Sequence, residues 1–153
     1  MAHIGERAVA HGYTIIVDND DAAQRMMAFT IVSDALARIA SSAPHTDRRM
    51  RRDVHQILVM PAKTAAYFHP GTILIPCHAF DEADSDAVAG YIVHEAVHAR
   101  IEKHRIRYWP DLQARIERRC LREQIAFLAS RPGRSDLVQR FERYLHRQWP
   151  EGR

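Results

Sequence analysis

Two imidazoles four residues apart, with a carboxylate beside the first, stand out among the side chains of this 153-residue sequence: His94-Glu95-Ala96-Val97-His98. On an α-helix, positions i and i+4 share a face, with Cβ atoms about 5–6 Å apart. Both rings can then reach one metal ion at about 2.0–2.1 Å. Glu95 lies about 100° round the helix from His94, placed to hold a water on that ion instead of binding the ion itself. A carboxylate so placed can act as general base while the metal lowers the pKa of the water. Composition alone gives about 0.03 such patterns in a chain of this length and histidine content, before any helical context is required.

The surrounding residues supply that context. Val88, Tyr91, Ile92, Val93, Ala96, Val97 and Ile101 leave hardly any polar face except the one carrying His94, Glu95 and His98. A helix apolar nearly all round is buried. Two histidines and a glutamate on it cost free energy unless they are paired or bound to metal. The plain alternative is a pair of hydrogen-bonded core histidines with a surface glutamate.

A hydrolytic metal site needs a third protein donor. The spacing His94-x3-His98-x5-His104 resembles that of metzincins and of the small zinc ribonucleases of rRNA maturation. Those families place a Gly three residues after the second His, where this chain has Ile101, a β-branched residue hostile to positive φ. Metzincins also carry a Met turn downstream, and no Met follows Met60. On a continuing helix His104 lies about 9 Å beyond His98 and points elsewhere. The following helix offers better donors. Its inward face is Leu112, Ile116, Cys120, Leu121, Gln124, Phe127 and Leu128, with Arg115, Arg118, Arg119 and Arg122 opposite. Glu117 falls within the apolar arc and Glu123 at its edge, so Glu117 is the preferred donor and Glu123 the second choice.

This arrangement resembles the gluzincin type of zincin metallopeptidase, with HExxH on one helix and a glutamate on the next. The resemblance covers roughly residues 55–130, and its specific part is His94–His98. It implies a zinc-dependent metallopeptidase that cleaves peptide or protein substrates with a zinc-activated water. His94 and His98 would be ligands, Glu95 the catalytic base and Glu117 the third ligand. It also implies an α+β, zincin-like fold: a small mixed β-sheet with a backing helix, a buried motif helix and C-terminal helices. The strand 65–69 looks like the edge along which such peptidases align an extended peptide. Larger gluzincins carry an ExxxD after the second His, where this chain reads Glu117-Arg-Arg-Cys-Leu121. Tyr108, His104 and Tyr67 are the candidates for stabilising the transition state.

The elements needed to hold such a site can be read along the chain. Tyr13–Val17 is a short β-branched run, followed by Asp18-Asn-Asp-Asp21 and a helical pattern from Ala22 to about Ala40 that Ser41-Ser-Ala-Pro44 stops. Arg48–Arg52 looks like a basic connection. Gln56–Met60 is a buried strand, and Ala65–His69 with Thr72–Pro76 flank Pro70-Gly71 as a hairpin. Helices are expected at about 84–104, 110–130 and 134–147, punctuated by Pro110 and Pro132-Gly133. Neither a linker nor a repeat interrupts the pattern, so one domain spans 1–153.

Composition narrows the function classes. Ten histidines face only two cysteines, Cys77 and Cys120, which excludes a disulfide scaffold and leaves imidazole and carboxylate to carry any metal. No apolar run approaches the ~20 residues of a membrane span, and the first residues lack the build of a signal peptide. A cytoplasmic setting is the expectation. Charge is uneven, with a net of −4 over residues 1–98 and +7 over 99–153. The basic third raises two rival functions, a zinc-stabilised interaction or toxin-like module and a nuclease. Solvated arginine faces are the simpler account, and the four arginines of 48–52 lack the interleaved aromatics that would favour nucleic acid as partner.

Overall fold

A computed structural model describes residues 5–61, 70–104 and 110–150. Four strands form one sheet in the order β1 (Glu6–Ala10), β2 (Tyr13–Val17), β3 (Gln56–Met60), β4 (Thr72–Pro76). β1 pairs antiparallel with β2, and β2, β3 and β4 run parallel, aligned at Ile15, Ile57 and Ile73. The expected mixed sheet is therefore present. Alternation along the parallel strands buries Ile15, Val17, Ile57, Val59, Ile73 and Ile75 on one face. These pack with Val32, Ala35, Leu36 and Ile39 of α1 (Ala22–Ser42) and with Ile92, Val93 and Ala96 of α3 (Ser85–Lys103) in one core cluster.

Three expectations need correction or limits. β1 has no counterpart among the strands read from the sequence, because the apolar part of Glu6-Arg-Ala-Val-Ala10 is only three residues long and the strand is largely exposed. It exists because His11 (φ 50°) and Gly12 (φ 82°) make a two-residue turn with both residues at positive φ, the geometry that joins twisted antiparallel strands. Arg48–Arg52 is not a connection but part of a second helix, α2 (Pro44–Asp53). Pro44 starts this helix instead of merely stopping the previous one, since its missing N–H is no loss in a first turn. The strand expected at 65–69 lies outside the described residues; Thr72–Pro76 itself pairs in parallel with β3.

α2 also shows where basic charge is spent. Arg51 donates to Asp47 at 2.9 Å and lies over the Tyr13 ring at 5.4 Å, and Tyr13 donates to Asp47 at 3.4 Å. Arg49 reaches Glu123 at 3.3 Å. The cluster therefore ties α2 to the sheet and to α4 (Pro110–Ala129).

The start of α3 is fixed by charge. Asp84 caps it, accepting from the amides of Asp86 and Ala87 at 3.0 and 3.1 Å. Arg134, just before α5 (Ser135–Gln148), grips both oxygens of Asp84 at 2.8 and 2.5 Å. That bidentate contact, outweighing partial burial and helped by the capped amides, holds the Asp84 carboxyl down at about 2. Because the folded value lies below the ordinary unfolded ~3.9, the stabilisation is complete above that value and is lost as pH falls through about 2. Urea unfolding midpoints should fall between about pH 4 and pH 2, and the fall should be shallower in Asp84→Asn.

Candidate metal centre

α3 and α4 run antiparallel, so their facing residues meet in opposite sequence order. Gly90 meets Leu128: a Cβ on Gly90 would stand 3.3 Å from three carbon atoms of that side chain, so glycine permits the close approach. One turn on, His94 faces Gln124, and a turn further along α3 His98 faces Glu117, two turns back from Gln124 on α4. Val97 packs with Ile116 and Cys120 between them. This register explains why residues 19 to 30 apart in sequence converge.

The Glu117 carboxylate lies 3.1 Å from Nε2 of His98 through one oxygen and 3.5 Å from Nε2 of His94 through the other. Donors at about 2.0–2.1 Å on a tetrahedral ion stand about 3.3–3.4 Å apart, so these separations bracket the edge of such a coordination shell. The His94 ring is oriented from behind. Its Nδ1–H donates to Gln124 Oε1 at 3.1 Å, which leaves the Nε2 lone pair directed at Glu117. Gln124 is 3% exposed, so this partner is itself fixed. Burial lowers the pKa of both imidazoles, and for His94 the neighbouring His98 adds to the effect, while Glu117 opposes it in each case. For His94 the Gln124 contact turns the Nε2 lone pair towards Glu117, and a cation between them would satisfy both; the same carboxylate stands beside Nε2 of His98. The donor set fits zinc on this ground.

Glu95 opens onto a different part of the same helix face. It lines a hollow of about 260 Å³ with Thr72, Ile73 and Leu74 of β4, Tyr91, His98 and Glu102. Burial and the Glu117 charge push its carboxyl up to about 7, against a lowering hydrogen bond donated by the Tyr91 hydroxyl. A second cavity of about 430 Å³ flanks His94 on the other side, lined in part by Val88, Leu121, Phe141 and Tyr144. Tyr91 borders both.

The other residues weighed in the sequence fall elsewhere. Glu123 is bound to Arg119 at 2.9 Å and Arg49 at 3.3 Å. Burial would raise its pKa, but these arginines outweigh it and hold the carboxyl below its ordinary value. His104 is exposed at the C-terminus of α3, its amide bonded to Arg100 O at 3.2 Å, as a helix continuing through Ile101 requires. Tyr67 and Tyr108 lie outside the described residues. Gln124 and Tyr91 had no assigned role in the sequence, although a glutamine on an otherwise apolar helix face is itself a signal of a polar partner. Cys120 is likewise more than a core residue by position. One ligating atom from each of Cys120, His94 and His98 lies within 4.8 Å of the others. Burial, with the Glu117 and Glu95 charges, pushes its thiol up to about 12.

Among the described residues, no helix is long and apolar enough to cross a membrane. No protein-family profile, characterised protein or solved structure matches this chain.

Proposed function

We propose that this chain is a zinc-dependent hydrolase, of the zincin kind, acting as a metallopeptidase on peptide or protein substrates. The observation that carries the reading is the convergence of His94 Nε2, His98 Nε2 and both Glu117 oxygens at 3.1–3.5 Å, from two helices whose register allows it. His94, His98 and Glu117 would hold the ion, and Gln124 would orient His94. When bound, zinc supplies Lewis acidity, polarising a carbonyl and making water more acidic.

The chain's own residues do the rest. Glu95 Oε is the proton acceptor: it neighbours His94 in sequence and shares a hollow with His98, so it faces the site without joining the ligand set. Having taken the proton of the attacking water, the same oxygen can deliver it to the leaving amine. Tyr91 holds the Glu95 carboxylate through its hydroxyl. β4 forms the wall of that hollow at Thr72–Leu74, which suits an extended peptide laid along a strand.

The rival roles for the basic third of the chain draw less support, because three of its arginines are used internally. Arg119 pairs with Glu123, and Arg131 and Arg134 pair with Asp86 and Asp84. The test is metal analysis joined to a peptidase assay on an unfolded protein substrate such as casein. One zinc per chain is expected, and chelation should abolish cleavage while leaving most of the melting temperature. Glu117→Gln should weaken zinc binding by at least about tenfold to a hundredfold, the range seen even for outer-shell changes. A chain that binds no zinc, or that cleaves equally well after chelation, would overturn the reading.

A further inference from the structure

Cys120 is the buried nucleophile for which the hydrolytic reading has no use. It follows Glu117 by three residues on α4, so the two side chains share a helix face. It is wholly buried, at 0% exposure, against Val97 of α3 and Ile116 of α4, the two helices that carry the metal donors. Its sulfur and one nitrogen of each of His94 and His98 fall within 4.8 Å of one another. With Zn–S near 2.3 Å and Zn–N near 2.0–2.1 Å, a tetrahedral centre sets sulfur and nitrogen about 3.5–3.6 Å apart. The difference is at most about 1.3 Å, within the swing of a cysteine side chain about χ1.

We propose that Cys120 is a fourth, displaceable protein donor to the ion held by His94, His98 and Glu117: its thiolate completes the resting centre, and the sulfur takes back a proton and leaves when water or substrate claims its position. This rests on the reading of the ion given above. The step is a simple exchange: the sulfur–metal bond forms as the S–H proton leaves to solvent, with no change of oxidation state. With the thiol packed in the core, three donors leave one coordination position open, the arrangement hydrolysis needs. With the sulfur bound, the protein fills all four positions and the site takes the closed form of structural zinc. A thiolate also biases the site towards zinc, cobalt and cadmium over magnesium and calcium.

The test is optical and uses the full chain with one equivalent of Co2+. The expected spectrum has a thiolate-to-cobalt charge-transfer band in the near ultraviolet beside the visible d–d bands. Cys120→Ser and Cys120→Ala, checked for folding by circular dichroism, should lose the charge-transfer band and keep the d–d bands. Cys77→Ser should keep both, and Cd2+ affinity should drop at least about tenfold in the Cys120 variants alone. Bound Co2+ with d–d bands but no charge-transfer band in the unaltered chain would overturn the role of Cys120 and leave the three-donor centre standing. A band that survives both Cys120 substitutions would also overturn it. No Co2+ binding at all would remove the centre and this proposal together.

Discussion

Glu95→Gln is expected to lower peptide hydrolysis by about 10²–10⁴-fold, the loss typical of removing a positioned general base, while zinc content stays at one per chain. The amide matches the carboxylate in shape and can still accept the Tyr91 hydroxyl bond, but it cannot take a proton from water. Glu95 also lies outside the proposed ligand set of His94, His98 and Glu117, so retention of metal is part of the prediction. The two readouts separate a catalytic role from a ligating one. Hydrolysis and zinc lost together would make Glu95 a ligand or a folding determinant. Undiminished turnover in a zinc-loaded variant would sink the mechanism.

Asp86→Ala should produce the largest loss of stability of any change outside the core. Asp86 is 6% exposed and accepts from three arginines: Arg131 at 2.9 Å, Arg38 at 3.0 Å and Arg134 at 3.0 Å. These come from α1, from the link after α4 and from the residue before α5, so one carboxylate gathers three parts of the chain at the start of α3. Removing one partner of a fully buried ion pair costs about 3–5 kcal/mol, an upper bound here because Arg134 keeps Asp84 and the Arg38 side chain is partly exposed. A folded chain has only about 5–15 kcal/mol in total. Urea unfolding should show a correspondingly lower midpoint. Glu82→Ala, which breaks the exposed contact to Arg140 at 3.7 Å, should change stability by no more than about 1 kcal/mol. A cost for Asp86→Ala equally small would show that the network contributes little.

The parts of the fold legible in the sequence were those with strong periodicity. α3, α4 and α5 lie within two residues of their expected ends, because apolar spacing, Pro110 and Pro132-Gly133 act locally. α2 and β1 were not legible. The stability of α2 comes from Met50, Asp47 and Arg49 meeting other elements, which a run of arginines conceals. β1 depends on pairing with β2, not on its own short apolar part. At the site, the helical logic of His94, Glu95 and His98 could be read directly. The preference for Glu117 over Glu123 could also be argued, since one lies within the apolar arc and the other at its edge. The roles of Gln124 and Cys120 could not, because they follow from how α4 is slid and turned against α3. The expectation that imidazole and carboxylate carry any metal rested on the number of cysteines, which says nothing of where Cys120 stands relative to His94 and His98.

That helix register has a consequence for how the sequence can change. Among the described residues, every candidate ligating atom, and the amide that orients His94, comes from two facing helices. Sliding α4 by a single residue would move its groups by about 1.5 Å and turn them by about 100°, whereas a metal site tolerates only about 0.2 Å in its bond lengths. The proposed centre would therefore work as a gauge of alignment between α3 and α4. Loops may lengthen and surface residues drift freely, but a one-residue insertion or deletion between Glu117 and Gln124 would dismantle the whole set at once.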